Sequence, residues 1–227
     1  MRYQGRRREM RIDARKLPIV AVAMALLQCA CTPSGHHGSA PAANSPAAQD
    51  ATTPSANAGA YIDRSRGFRI EVPSRWTAHR DFAHGYLAND SWKAYAAPDS
   101  QGTAIVSFTL PGSNEITSAE IRIGASRGAG EIAQCTVPPD SLRAGSLHQE
   151  RIGDVDFTAF EAADAAMSHH LDVRGYRAVH DGACYAIDLL VYGTNPEVYD
   201  PPPKPPFSKD AAFARMTPVL RTFRFTR

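Results

Sequence analysis

An α+β fold, a central antiparallel β-sheet flanked by a few helices, is what this sequence predicts, and three observations carry it. Runs of alternating apolar and polar residues come in pairs joined by short turn-forming segments at 111–114, Gly153-Asp154 and Asp181-Gly182. Two-residue turns return a chain only to an antiparallel neighbour, so successive hairpins build an antiparallel sheet. Helical spacing is confined to residues 208–220 and a shorter stretch at 130–135, with no succession of strand, helix and strand that would build a parallel sheet.

In chain order, an address precedes the fold. Arg6, Arg7, Arg8, Arg11, Arg15 and Lys16 stand before an apolar run at 17–27, the pattern of a secretory signal peptide. Eleven residues at helical rise span only about 16 Å, roughly half of a bilayer's hydrocarbon core, so a permanent membrane span is not expected. Met10 opens a second, more usual start of such a signal. The run Leu26-Leu27-Gln28-Cys29-Ala30-Cys31 resembles the lipobox of bacterial lipoproteins. Cys31, with the small Ala30 before it, is the preferred lipidation site; Cys29, with Leu26 three positions upstream, is the alternative. Acyl chains buried at about 0.8 kcal/mol per methylene would anchor the chain to a membrane. No Asp follows either cysteine, which by the same resemblance favours the periplasmic side of the outer membrane.

Residues 32–59 are almost wholly Ala, Ser, Thr, Pro, Gly and Asn, with Asp50 as their one charge. Such a segment buries too little apolar area to offset its chain entropy, and reads as a disordered tether spanning about 30 Å. His36 and His37 fall within it as solvated side chains. A single globular domain is expected at 60–227.

Inside that domain Phe68-Arg-Ile70-Glu-Val72 alternates and stops at Pro73, as a half-buried strand does. Residues 76–81 and 92–97 are shorter strand candidates. Residues 103–110 and 119–123 pair across the turn at 111–114, and a short helix is placed at 130–135 despite its glycine. Residues 146–152 with 155–163, and 169–180 with 183–192, form the next two hairpins. Asp-Gly between two such runs is a strong turn signal. Ser208 caps the helix at 208–220, and residues 222–225 supply a last strand.

Charge and cysteine content narrow the class further. The 227 residues hold 25 basic and 23 acidic side chains, 43% hydrophobic and 21% charged residues. Seven of the basic and two of the acidic residues lie in the first 31, leaving 18 basic and 21 acidic beyond them, a net charge of −3. A sequence-independent nucleic-acid binder needs a dense positive surface, so that class is excluded. Cys135 and Cys184 are the two cysteines of the exported domain, and an oxidising compartment favours a disulfide between them. Closing a loop of about 50 residues stabilises a fold by about 4 kcal/mol in the chain-entropy description. The alternative is a catalytic thiol. Residues 200–207, with five prolines, read as a stiff surface loop ahead of the last helix, or alternatively as a polyproline ligand.

Chemistry is less legible. Gly124-Ala-Ser126-Arg-Gly128 matches the G-x-S-x-G turn that exposes a nucleophilic serine in hydrolases, with Asp154 or Asp172 and His180 as conceivable partners. Its preceding strand alternates as a one-sided antiparallel strand does, unlike the doubly buried parallel strand of those enzymes. A serine hydrolase therefore stands as a third reading. His169 and His170 are adjacent and point to opposite faces of a strand, so a metal site would need His148 or His180 to converge with one of them; no metal is expected. Asp154 and Asp156 flank a turn, where Asp is common, and no phosphate-cradling glycine loop is present. No cofactor is implied. Trp76, Trp92, Tyr86 and Tyr95 cluster in sequence; such rings read first as core or edge packing, and if one surface binds a partner, Tyr86, Trp92 and Trp76 mark it.

Tyr61, then Gly67-Phe68-Arg-Ile70-Glu-Val72-Pro73-Ser-Arg-Trp76, and finally Leu220-Arg-Thr-Phe223-Arg-Phe225 resemble the opening and closing strands of PsbP and Mog-type domains. The resemblance covers residues 61–227 and implies an α/β/α sandwich with a central antiparallel sheet. It also implies a non-catalytic accessory or partner-binding role, with no shared catalytic residues to carry over. The Cys135 and Cys184 pair and the proline loop depart from that pattern. The expected function is a membrane-tethered, non-catalytic envelope lipoprotein that binds an envelope or secreted protein or a small ligand. A lipoprotein immunity factor against a secreted antibacterial toxin is the alternative.

Overall fold

The structure is a computed structural model, and it describes residues 58–82 and 85–226. The export signal, Cys29, Cys31 and the tether up to residue 57 lie outside the described residues. Strand β1 (Ala58–Asp63) begins two residues inside the segment read as tether. It pairs antiparallel with β2 (Phe68–Pro73), Tyr61 opposite Ile70. On the other side of β2 lies β10 (Arg224–Phe225), so the opening and closing strands of the domain sit side by side in a three-stranded sheet.

The larger sheet has seven strands: β3 (Thr77–His79), β4 (Thr103–Thr109), β5 (Thr117–Ser126), β6 (His148–Ile152), β7 (Val155–Ala166), β8 (His169–His180) and β9 (Ala183–Thr194). Their spatial order is β3-β4-β5-β9-β8-β7-β6, and every pairing is antiparallel. The three predicted hairpins form at their predicted turns. In the β8–β9 turn Asp181 and Gly182 both hold positive φ, 46° and 65°, the geometry that favours Asp-Gly in two-residue hairpins. Helix α2 (Lys209–Leu220) is capped by Ser208, whose hydroxyl accepts the Ala211 N–H. Helix α1 (Ala129–Ala133) is one turn long. Among the described residues no helix is long and apolar enough to cross a membrane.

The two faces of the large sheet are covered differently. Along β5 and β9, Ala119, Ile121, Ile123, Tyr185, Ile187 and Leu189 face the main core, which α2 and the small sheet close with Phe68, Ile70, Met216, Leu220 and Phe223. The opposite face carries Glu120, Arg122, Arg177 and Asp188, all buried, beneath α1 and the connection between β3 and β4. That connection corrects one expectation: residues 92–97 form no strand. The Ala94 N–H donates to Asp188 Oδ2 (2.8 Å) and the Ala94 carbonyl accepts from Arg177 Nη2 (3.4 Å), so its backbone is satisfied by buried side chains rather than by a neighbouring strand. Tyr95 at φ 57° breaks any extended run.

Candidate binding cleft

One end of the large sheet, where β5 finishes and β9 begins, opens into a hollow of about 380 Å³. Its walls include Arg66, Gln101, Thr103, Ser126, Arg127 and Tyr185. A neighbouring hollow of about 350 Å³ shares Arg66, Arg127 and Tyr185 and adds Arg64, Ser65 and Asp181. Three arginines from two elements therefore stand around one opening.

Each is positioned by local chemistry. Asp63 ends β1 and its Oδ1 accepts both the Ser65 hydroxyl (2.6 Å) and the Arg66 N–H (2.9 Å), a side-chain turn that folds residues 63–67 back into β2. Its Oδ2 takes Arg66 Nη1 at 3.1 Å. Burial would raise the Asp63 carboxyl, but these hydrogen bonds and the Arg66 charge hold it below its ordinary value. The Tyr185 hydroxyl rises from β9 to donate to the Arg66 carbonyl (2.9 Å), tying this turn to the large sheet. Burial pushes the Tyr185 phenol up, so it remains a donor. Arg127, just past β5, reaches the turn between β8 and β9, where Nη1 donates to the Asp181 carbonyl (3.1 Å). The remaining guanidinium nitrogens of Arg127, and the whole Arg64 guanidinium, have no protein acceptor among the described residues.

Ser126 lies on the wall of this cleft with its hydroxyl already engaged, donating to the Gln101 carbonyl (2.5 Å) and accepting the Gly128 N–H (3.1 Å). The first glycine of its motif has a packing explanation. A Cβ at Gly124 would overlap the Trp92 carbonyl, so a side chain there would lift residues 92–94 off the sheet. The structure does not bring the conceivable partners together. His180 stands opposite Ala183 in the β8–β9 ladder and stacks on Phe225 (centroids 3.8 Å apart), on the sheet face opposite Ser126. Asp172 shares that far face, bound to Lys209 Nζ at 2.9 Å. Asp154 sits in the β6–β7 turn, beyond the two intervening strands β9 and β8.

The aromatic candidates also separate. Trp92 is 2% exposed, donating its indole N–H to Ser100 Oγ (2.9 Å) and packing beside the disulfide. Tyr86 is exposed and stacks on His169. Trp76 packs against the α2-side core, on the other face of the large sheet. These three rings do not form one patch. Cys135 and Cys184 form the expected disulfide, with Cα atoms 5.5 Å apart, and join the turn that follows α1 to β9. His169 stacks on Tyr86, whereas His170 feels Asp172 and Lys209 on the α2 side, as their adjacency in a strand requires. Among the described residues no group of three or more His, Cys, Asp or Glu side chains is placed to hold a metal ion.

Sequence reasoning did not find the arginine cleft. A signal for half of it existed in Asp63-Arg64-Ser65-Arg66-Gly67, whose Asp followed by Ser and a Gly marks a tight turn with two arginines on it. Its meeting with Arg127 depends on how the small sheet packs on the large one, which no local pattern encodes.

No protein-family model matches the chain, and no curated protein does. Among solved structures, a protein of Bacteroides thetaiotaomicron VPI-5482 is similar at 15% identity and a TM-score of 0.40, over 75% of this chain and 49% of that one. The chain thus spans about half the length of that structure. The solution structure of cyanobacterial PsbP (CyanoP) from Synechocystis sp. PCC 6803 is similar at 9% identity and a TM-score of 0.39, over 79% of this chain and 98% of that one.

Proposed function

We propose that this chain is an exported, membrane-tethered and non-catalytic envelope lipoprotein that binds its ligand or partner in the cleft at the β5–β9 end of the large sheet. The observation that carries the binding assignment is the set of guanidinium donors of Arg64 and Arg127 turned to one opening without protein acceptors among the described residues. Polar groups that face a concavity and lack partners are what a ligand satisfies. The non-catalytic assignment is supported by Ser126, whose hydroxyl is consumed in two backbone hydrogen bonds on the face away from His180. Export is supported by the basic and apolar opening of the sequence and by a disulfide that persists in an oxidising compartment.

Two measurements on the full chain in a bacterial host test this. Metabolic labelling with a palmitate analogue is expected to mark the chain and to fail when Cys29 and Cys31 are both replaced by Ser. A photo-crosslinking residue at Thr103, on the cleft wall, is expected to give a defined adduct in intact envelopes, and the same residue at Leu147, on the distant β6 side, is not. Recovery of an unprocessed cytosolic chain with reduced cysteines would overturn the export reading. Labelling by a fluorophosphonate that Ser126→Ala abolishes would replace the binding reading with a hydrolase.

A further inference from the structure

We infer that the cleft recognises a phosphate group, carried by a small soluble ester or by a lipid headgroup; this rests on the cleft being the binding site. Charge supports it first. The residues beyond the signal carry a net −3, yet this opening gathers Arg64, Arg66 and Arg127 against two acids, Asp63 and Asp181. Asp63 is committed to Arg66 and Ser65, so Arg64 and Arg127 face Asp181 as the one remaining carboxylate, leaving excess positive charge at the mouth. An anion is the complementary ligand.

Geometry then selects among anions. Arg64 and Arg66 come from the β1–β2 turn, whereas Arg127 comes from the end of β5, so the donors belong to two separate walls. A planar carboxylate satisfies one guanidinium fork lying in its own plane. A tetrahedral phosphate presents oxygens in several directions and can accept from both walls at once. The hollow of about 380 Å³ exceeds what a phosphate group occupies, and the wall behind it is made of small residues, Gly102, Thr103, Ala125 and Ala183, which leave room for a short organic carrier.

The test uses the chain with Cys29→Ser and Cys31→Ser, so that no acyl anchor intervenes. Isothermal titration at about 0.15 M salt, where distant charges are screened, compares inorganic phosphate, glycerol 3-phosphate and acetate. Flotation compares phosphatidylglycerol with phosphatidylcholine vesicles. Saturable binding of glycerol 3-phosphate, at least tenfold tighter than acetate and weakened at least tenfold by Arg127→Gln, is expected for a soluble ester. Flotation with phosphatidylglycerol only, lost in Arg127→Gln, assigns a headgroup instead. Arg151→Gln, which removes an exposed ion pair with Asp156 at the β6–β7 hairpin, leaves either result unchanged. Should neither phosphate nor vesicles bind, or acetate bind as well as the ester, or Arg127→Gln bind like the parent, the phosphate assignment falls. A Thr103 adduct obtained alongside such a failure preserves the tethered-binder reading, so the two fail separately.

Discussion

The two faces of the seven-stranded sheet are both buried, yet they hold their covering segments by different means. On the α2 side Phe68, Ile187, Met216, Leu220 and Phe223 meet as close-packed hydrocarbon, with Phe223 stacked on Phe68 at 5.3 Å and edge-on to Phe157 at 6.1 Å. On the other side Arg177 Nη1 meets Asp188 Oδ1 at 2.7 Å and Arg122 meets Glu120 at 2.8 Å, and these charges hold the backbone of Asn89 and Ala94. The first face relies on non-directional burial, so many apolar side chains of similar volume would serve. The second relies on directional bonds to particular carbonyl and N–H groups, so it holds a segment with little regular structure in one conformation.

The largest effects expected come from breaking each face at its centre. Phe223→Ala removes a fully buried ring and is expected to cost about 4 kcal/mol, read as a shift in the denaturation midpoint. Asp188→Ala is expected to cost a similar amount for another reason: it leaves the Arg177 charge buried without its partner and orphans the Ala94 N–H. The double variant Arg177→Met, Asp188→Leu separates the mechanisms. Removing both charges is expected to recover the part of the loss that comes from the unpaired Arg177 charge, because a buried pair replaced by hydrocarbon is often neutral, while the Ala94 N–H stays without its acceptor. If the double variant is as unstable as Asp188→Ala alone, the charge account of that face fails.

The disulfide belongs to the charged face and tests its independence. Cys135→Ser with Cys184→Ser is expected to destabilise by about 2–4 kcal/mol. Because Trp92 packs against the bridge with its indole N–H on Ser100, its fluorescence should change when the bridge is absent. Amide exchange is expected to rise in α1 and at residues 92–101 while α2 stays protected. Uniform acceleration across both faces would show that they unfold as one unit.

What was legible in the sequence follows the same division. The β4–β5, β6–β7 and β8–β9 hairpins and α2 could be read because each is set by alternation, a turn dipeptide or a cap, all local signals. The β7–β8 connection could not: its turn is Met167-Ser168, both at positive φ (50° and 67°), without the Gly, Asn or Asp that normally announces such a turn. The long pairing of β7 with β8 overrides the local preference there. Residues 92–97 read as a strand because Trp92 and Tyr95 favour extended chain, whereas their partners are Asp188 and Arg177, about 90 positions away. Trp92, offered by the sequence either as core packing or as part of a binding surface, is core for the same reason. Of the cleft, the sequence marks Ser126, whose hydroxyl holds backbone together, while no local pattern marks Arg66 and Arg127 as neighbours.

A smaller effect tests the apolar face at its edge. Ser208→Ala removes the oxygen that accepts the Ala211 N–H at the start of α2 and is expected to cost about 1 kcal/mol. Ser208→Asp keeps an acceptor there and is expected to retain most of the stability. An equal loss in both variants would mean that packing around residue 208, not the cap, matters.

The smallest effect expected is a dependence on pH confined to the α2 side. Burial lowers the His170 imidazole below its ordinary value; the Asp172 carboxylate opposes this, and the Lys209 ammonium and His169 add to it. In the window between the ordinary imidazole value and the lower one of the folded state, the unfolded chain binds more protons, so stability falls as pH falls through that window and levels off beneath it. Asp63 and Glu131 behave oppositely in origin: both carboxyls are held low by hydrogen bonds despite burial, and their contribution is lost only in the more acidic carboxylate window. His170→Gln is therefore expected to flatten the upper step of a stability-against-pH curve and to leave the acidic step unchanged. With His170 only partly buried, solvent keeps the upper step small, and amide exchange at the start of α2 reads it more sensitively than global unfolding does. A step that survives His170→Gln assigns that proton uptake to another histidine and removes the α2 side from the pH response.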